Sequence, residues 1–471
     1  MTTTARIDPT AVQDTWQGWG TSLCWWANVF GERDDVADIL FTRERVPYDG
    51  QRLPGLGLNI ARYNIGGCIP GSGMVVSPNI PPWKQIEGFW RDGGSADPDG
   101  PGWDWSADPR QRAMLQKARD RGVDLVEMFS NSPLWWMCRN HNPSGAADGS
   151  ENLDPALARD HARYLATVVA RARDHWGVDV ASVDPFNEPS ADWWKADGTQ
   201  EGCHVGHATQ ARVIGQLRAE LDARGLDDVE VAASDESLYD HAIGTWESFP
   251  EATRARVGRV NVHGYQYEAG RRDLLSTAVR ATGTPLWQSE YGDGDGTGLR
   301  LARNLVLDLR LLRPTAWVYW QALDGLDWGL ISCDEDHGTL GRVNPKYFVL
   351  AHFTRHIRPG MQLLGVSERT STGDTGGDTE TTVAAYDHHA PRLVLVTINV
   401  GDAPREQVWD LTGFRAAAGS SLTMRCWLTR VDPGGERYVE TSPPARRTPS
   451  TLTTAVPPRA VQTLEIDGLE V

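Results

Sequence analysis

Nothing in this chain of 471 residues reads as a membrane span, because no apolar run reaches the roughly 20 residues that a bilayer-crossing helix needs. Basic runs are missing too. The 46 Lys and Arg are outnumbered by 63 Asp and Glu, for a formal net charge of −17. That balance argues against nucleic acid or an anionic membrane as partner, and a neutral substrate fits better. No obligate protein partner is implied. Cysteine is scarce: Cys24, Cys68, Cys138, Cys203, Cys333 and Cys426 show no Cys-x-x-Cys spacing, which argues against zinc and leaves reduced thiols as the simpler reading. The opening Met1-Thr2-Thr3-Thr4-Ala5-Arg6-Ile7 has no apolar signal-peptide core. As it stands the sequence therefore reads as cytoplasmic, and as secreted if a leader has been removed. Gly55-Leu56-Gly57 lacks the third glycine of a dinucleotide fingerprint, and no Gly-x-Ser-x-Gly elbow of an esterase occurs. Residues 292–298, Gly-Asp-Gly-Asp-Gly-Thr-Gly, have the look of a calcium loop but lack the third acidic ligand and the closing glutamate. A flexible cleft wall is the better reading. Neither cofactor nor metal is expected.

Tryptophan, by contrast, is abundant. Of the aromatics 20 are Trp, 11 Tyr and 9 Phe, and 18 of the 20 Trp precede residue 330. Most can fill the core of a large domain. The doublets Trp25-Trp26, Trp135-Trp136 and Trp193-Trp194 are harder to bury, because neighbouring side chains point in different directions. Indole faces also stack on the C–H faces of sugar rings.

The length suits a barrel plus an appended domain. Apolar runs at 17–23, 58–64, 123–129, 182–186, 229–233, 259–263, 285–289 and 316–320 read as eight strands. Helical stretches at 109–120, 154–175, 207–224 and 299–312 lie between several of them. This alternation predicts an α/β fold, a parallel (β/α)8 TIM barrel over residues 16–355. After about residue 356 the helical period stops. Short alternating runs at 382–386, 392–399, 421–429 and 460–466 predict an antiparallel β-sandwich. The Gly/Thr/Asp-rich stretch 371–381 reads as a mobile loop tip. Active sites of such barrels lie at the C-terminal strand ends. There the runs deliver Arg62, Asn131, Asn187-Glu188, Asp235-Glu236, His263 with Tyr265, Glu290 and Trp320-Gln321.

Two of these stand out. Glu188, in Asp184-Pro185-Phe186-Asn187-Glu188-Pro189, and Glu290, in Trp287-Gln288-Ser289-Glu290-Tyr291-Gly292, each follow a strand-like run. Two carboxylates at strand ends are what a retaining glycosidase needs, one as nucleophile and one as proton donor, about 5–5.5 Å apart. Either one alone is commonly a surface carboxylate. The pair in these contexts is a candidate catalytic couple.

The motifs resemble glycoside hydrolase family 30, and within it subfamily 5, the β-1,6-galactanases. They are Gly18-Trp19-Gly20-Thr21-Ser22-Leu23 with Trp25-Trp26-Ala27-Asn28, and Leu58-Asn59-Ile60-Ala61-Arg62-Tyr63-Asn64-Ile65-Gly66-Gly67. Then come Ser130-Asn131-Ser132-Pro133, Phe186-Asn187-Glu188-Pro189, Gln200-Glu201-Gly202-Cys203, His263-Gly264-Tyr265 and Ser289-Glu290-Tyr291-Gly292-Asp293-Gly294. The Asn-Glu-Pro signature marks a whole clan; the Trp-Trp and Gln-Glu-Gly-Cys motifs are narrower. The resemblance implies a barrel with a side β-sandwich into which residues 1–15 pack beside 356–471. It implies Glu188 as acid/base, its pKa raised by burial and by Glu290, and Glu290 as nucleophile. Arg62 would keep Glu290 ionised, Asn187 would bind the sugar 2-hydroxyl, Tyr265 would orient Glu290, and Trp320 would floor the reacting subsite. Asn131, Glu201 and His204 are candidates for hydroxyl contacts, with a Glu201–His204 loop pair as the alternative. Trp25 and Trp26 are candidate stacking platforms. The expected substrate is a neutral β-1,6-linked galacto-oligosaccharide or galactan. A β-1,6-glucanase or β-glucosidase-like relative is the alternative, and a non-catalytic carbohydrate-binding protein a remote one.

Overall fold

In the computed structural model the described residues are 2–370, 380–417, 422–443, 446–448 and 450–471. Eight parallel strands close into a barrel. They are β1 Gly18–Ser22, β2 Ile60–Asn64, β3 Leu125–Phe129, β4 Ser182–Asp184, β5 Glu230–Glu236, β6 Arg259–His263, β7 Leu286–Tyr291 and β8 Ala316–Gln321. Closure is made by β8 against β1, with Trp317 opposite Trp19. The strands are buried on both faces, which is why they read in sequence as continuous apolar runs. The strand at 182–186 stops early because Pro185 has no N–H for the ladder. β5 runs longer than expected, through the polar Asp235 and Glu236.

Helix Ala158–Trp176 is preceded by a 3-10 turn, Pro155–Leu157, which Asp154 caps through the Ala156 N–H at 2.9 Å. The helical stretch at 299–312 is an α-helix, Leu299–Leu307, that loosens into a π turn, Asp308–Leu312. The helices Asp34–Phe41, Tyr239–Ser248, Arg272–Arg280 and Pro345–Thr354 were not among the expected ones.

The second body is one ten-stranded sheet, mostly antiparallel, whose two ends share an apolar core that includes Leu393, Trp409, Leu452 and Ile466. Its four expected strands are present, as Thr382–Asp387, Arg392–Asn399, Thr423–Arg430 and Ala460–Asp467. The strand Thr2–Thr15 lies inside this sheet, antiparallel to Gln362–Thr370 and parallel to Arg405–Asp410. Of the stretch 371–381, only residues 380 and 381 lie within the described residues. Helix Pro345–Thr354 is buried from Lys346 onward, between barrel and sheet. Its His352 ring bridges Thr463 at 2.8 Å and Thr429 at 2.9 Å.

Candidate active site

Strand β2 carries Arg62 into the barrel interior, where none of it meets solvent. Its guanidinium is shared by three carboxylates: Nε to Glu127 at 2.8 Å, Nη2 to Asp235 at 2.6 Å and Nη1 to Glu290 at 3.0 Å. Glu127 also accepts from Arg259, Asn261 and Ser182, so this buried anion is fully engaged. A buried charge persists only with such pairing, and the planar fork of arginine suits it.

Glu290 sits at the mouth of the barrel, near the end of β7, and is almost fully buried. Its Oε2 takes the Arg62 bond, and its Oε1 accepts from the Tyr265 hydroxyl at 2.8 Å. Across from it Glu188 lies four residues beyond the end of β4, in a left-handed turn with φ 47°. A non-glycine residue held there costs about 1–3 kcal/mol and persists only where its surroundings fix it. Here the Glu188 N–H donates to the Asp235 carbonyl at 2.9 Å, and the Glu188 carbonyl accepts the Trp194 indole N–H at 3.0 Å.

His263, the last residue of β6, joins the two acids. Its Nδ1 lies 3.1 Å from Glu188 Oε1 and 3.4 Å from Glu290 Oε1, and its Nε2 lies 3.0 Å from Asp235 Oδ2. Burial alone would keep the ring neutral, but Asp235 and Glu290 outweigh it and raise its pKa well above the ordinary histidine value. Burial likewise acts to raise Asp235, yet Arg62 and His263 hold it below the usual carboxylate range.

Ligand atoms of Glu188, His263 and Glu290 all lie within 4.8 Å of one another. That spacing could accept a small cation. The same atoms, however, already face Arg62, Tyr265 and each other, and a cation would have to sit beside two positive groups. With an oxygen of each carboxylate within 4.8 Å of the other, the two are closer than the about 6.5–9.5 Å that admits a water between acid and base.

Burial pushes the Glu290 carboxyl up to about 7; His263 and Arg62 pull it down, while Glu188 and Asp235 add to the push. The nucleophile role expected of Glu290 requires the ionised form, so in that role the acid limb of kcat/KM should lie above the ordinary glutamate range. The Tyr265 hydroxyl donates to that ionised form. In Tyr265→Phe the anion loses a donor, its pKa rises further, and the acid limb should move to higher pH. Activity would then fall more under acidic than under alkaline conditions. A pH profile of both enzymes checks this, and an unmoved acid limb would deny Tyr265 control of the nucleophile's charge.

A cleft of about 590 Å³ opens over these groups. Asn187, Tyr265, Trp320 and Trp25 line it with the two glutamates. Trp25 and Trp320 meet edge to face at 5.0 Å. Asn187 Oδ1 and Trp25 Nε1 are buried and have no hydrogen-bond partner among the described residues.

Other expected site residues stand behind the cleft. Trp26 does not reach it: the short helix Trp26–Phe30 turns its ring inward, fully buried, with its indole N–H on the Ser22 carbonyl at 2.8 Å. Glu201 is fully buried as well. It ties two loops together by accepting from the Gly67 N–H at 2.8 Å and Asn64 Nδ2 at 3.1 Å, and burial raises its carboxyl to about 7. Nor does it pair with His204, whose Nδ1 sits 3.1 Å from the Ala191 carbonyl. Asn131 is buried beneath the cleft, its N–H on Asn64 Oδ1 at 3.2 Å. Glu201 and His204 face backbone or buried polar groups of neighbouring loops, whereas Asn131 Oδ1 is buried with no hydrogen-bond partner among the described residues.

Several lining residues were not expected. Lys84 stands 4.0 Å over the Trp25 ring, near Asp324 and Gln321. Trp193, Gln200 and Trp328 form further wall. Trp328 rests against Gly292 and Gly294, where a Cβ on Gly292 would come within 3.2 Å of the ring. Residues 292–298 do not themselves line the cleft; they back Trp328, which does. Their acids are engaged internally, Asp293 with Lys346 and the Tyr291 hydroxyl, and Asp295 with Thr297 and the Arg300 N–H. The Trp193-Trp194 doublet carried a signal in its sequence; Lys84 and Trp328 carried none. None of the six cysteines is in a disulfide.

Comparison with known proteins agrees with this geometry. The chain is 50% identical over 440 residues to an endo-beta-1,6-galactanase from Hypocrea rufa, covering 93% of this chain and 89% of that protein. It is 24% identical over 416 residues to an exo-beta-1,6-galactobiohydrolase from Bifidobacterium longum subsp. longum, covering 66% of this chain and 26% of the other. The catalytic domain of a GH30 xylanase C from Talaromyces cellulolyticus superimposes with a TM-score of 0.72 at 18% identity, over 98% of this chain and 99% of that domain. Residues 2–245 match the family described as O-Glycosyl hydrolase family 30, and with a relative this similar over nearly its whole length, the chain belongs to that family.

Proposed function

We infer that this glycoside hydrolase cleaves chains of β-1,6-linked galactose, such as arabinogalactan side chains, by double displacement with retention of configuration. The observation that carries the substrate is the 50% identity, over 93% of the chain, to the Hypocrea rufa endo-beta-1,6-galactanase. The same internal mode of attack is proposed for this chain. The close approach of Glu188 to Glu290 supports the mechanism.

In the first step a Glu290 oxygen forms a bond to the anomeric carbon as the bond from that carbon to the glycosidic oxygen breaks. Glu188 gives its proton to the departing oxygen. In the second step Glu188 takes a proton from water, the water oxygen bonds to the anomeric carbon, and the ester to Glu290 breaks. Arg62 and Tyr265 hold the attacking carboxylate in place, and charged His263 sits where negative charge passes between the two acids. Asn187 lines the cleft and its Oδ1 has no partner among the described residues, which supports a contact from its side chain to a hydroxyl of the reacting sugar, one that strengthens as oxocarbenium character develops.

The test is kcat/KM on β-1,6-galactotriose, β-1,6-glucotriose and β-1,3-galactotriose, with the first product followed by NMR. A site built to hydrogen-bond one hydroxyl can reject the analogue lacking it by about 10⁴-fold. We expect a strong preference for the β-1,6-galactoside and a β anomer as first product. Comparable rates on the two β-1,6 substrates would overturn the galactose assignment, a preference for the β-1,3 linkage would overturn the linkage, and an α anomer would overturn the mechanism.

A further inference from the structure

We propose that Trp193 is the stacking platform for the first sugar of the leaving group, and that the Trp193-Trp194 pair with residues 200–202 forms one rigid wall of that subsite. The inference rests on the glycosidase reading above and extends it to a binding position that no motif marks.

Trp193 is 46% exposed, although it lines the cleft. An indole left this open inside a concave site offers an apolar face that a ligand can cover. Its neighbour Trp194 does the opposite. Trp194 is buried, and its N–H donates to the carbonyl of Glu188. The two rings are 6.1 Å apart and tilted by 63°; both line the cleft, Trp193 as its open surface and Trp194 as the buried ring beside it.

Trp194 is fixed by the segment that follows. A Cβ on Gly202 would lie 2.0 Å from the Trp194 ring, so only glycine admits the indole there. Glu201, on one side of Gly202, is bound to Gly67 and Asn64 of the neighbouring loop, and the Gly202 N–H donates to the Pro143 carbonyl at 2.9 Å. Gln200, just before them, lines the cleft. The Gln-Glu-Gly stretch thus reads physically as one wall residue, one anchor and one gap for a ring. Through Trp194, the backbone of Trp193 is tied to the turn that carries Glu188.

The side of the cleavage point follows from proton transfer. Glu188 must reach the glycosidic oxygen, so the departing sugar lies against the loop that carries Glu188, and the retained sugar lies toward Glu290 and Trp320. Trp193 is five residues past Glu188 on that loop. A β-1,6 linkage has an extra rotatable bond, and a flat apolar surface next to the acid restricts where the departing ring can swing.

The experiment compares wild type, Trp193→Ala and Trp193→Phe on two substrates. One is β-1,6-galactotetraose, which places sugar on the leaving side. The other is β-galactobiosyl fluoride, whose leaving group is a single atom. In parallel, the ratio of transfer product to hydrolysis product is measured with β-1,6-galactobiose added as acceptor. The loss in kcat/KM for Trp193→Ala should be at least about 10-fold larger on the tetraose than on the fluoride, as for truncation of a central aromatic anchor. The transfer ratio should fall with it, and Trp193→Phe should recover most of both. Equal losses on the two substrates, or an unchanged transfer ratio, would overturn the proposal. If wild type prefers the glucose analogue, the same comparison is run on β-1,6-glucotetraose, so an error in the sugar is read from the wild type and an error in the platform from the variants. Trp193→Phe keeps an aromatic ring at the site, so its two ratios remain a test should the alanine variant fold poorly.

Discussion

Glu290→Gln is expected to lower kcat by about 10³-fold or more, with no recovery on substrates that carry an activated leaving group. An amide cannot form the glycosyl ester, so the route through a covalent intermediate is closed at its first bond. A better leaving group eases departure, but departure without a nucleophile leaves an oxocarbenium ion with nothing to capture it. The substitution is close to isosteric. Its amide oxygen can still accept from Arg62, and Arg62 keeps Glu127 and Asp235 as partners. The loss should therefore come without collapse of the barrel, and thermal unfolding beside kinetics separates the two. A second readout is direct. Wild type incubated with a 2-deoxy-2-fluoro-galactobiosyl substrate should accumulate a covalent adduct on the peptide containing Glu290, and the variant should not. A variant that keeps a tenth of the activity, or an adduct on another carboxylate, would move the nucleophile elsewhere.

Glu290 lies at the barrel mouth, where the end of its apolar run put it, because local sequence records strand ends well. The eight barrel strands are largely buried on both faces and rich in apolar residues, so their runs are plain even with Arg62, Glu127 and Asn261 inside the barrel, and a polar residue at the end of such a run points to the barrel mouth. Only boundaries moved, and for local reasons: Pro185 ends β4, and the polar Asp235 and Glu236 hide the end of β5. What sequence does not record is which groups the closed barrel brings together. His263 touches Glu188, Glu290 and Asp235 because β4, β5, β6 and β7 converge, and no spacing along the chain expresses that. Placement of Thr2–Thr15 beside Gln362–Thr370 is equally non-local, and it came from resemblance alone. The tryptophan doublets show a finer limit. Adjacent residues must diverge, but how each meets the cleft is decided by backbone direction: Trp25 lines it and Trp26 does not, while Trp193 and Trp194 both line it, the first open and the second buried. Glu201 shows the converse error. It lies one residue from a true wall position, yet the buried Gly67 N–H and Asn64 amide needed an acceptor, and that need placed it.

The acid side of the mechanism gives a different signature. Glu188→Ala is expected to lose activity severely on galactan oligosaccharides and far less on a 2,4-dinitrophenyl glycoside. A sugar alkoxide cannot leave unprotonated, and a correctly placed general acid contributes about 10²–10⁴-fold, whereas a dinitrophenolate needs no proton. With Glu188 gone, the second step loses its base as well, so water attacks the ester slowly and the glycosyl-enzyme accumulates. Azide needs no deprotonation and should enter the space left by the carboxylate. It should raise turnover of the activated substrate and give a β-glycosyl azide, since attack on an α-linked ester restores the original configuration. The alanine also relaxes a turn that is costly for it, at φ 47°, but the N–H to the Asp235 carbonyl and the Trp194 bond to the residue-188 carbonyl involve backbone and remain available. Alanine therefore removes the carboxyl and leaves the turn its fixings. Product analysis by NMR beside rates on both substrate types decides the matter. Equal losses on the two substrates, or an α azide, would take the acid/base role away from Glu188.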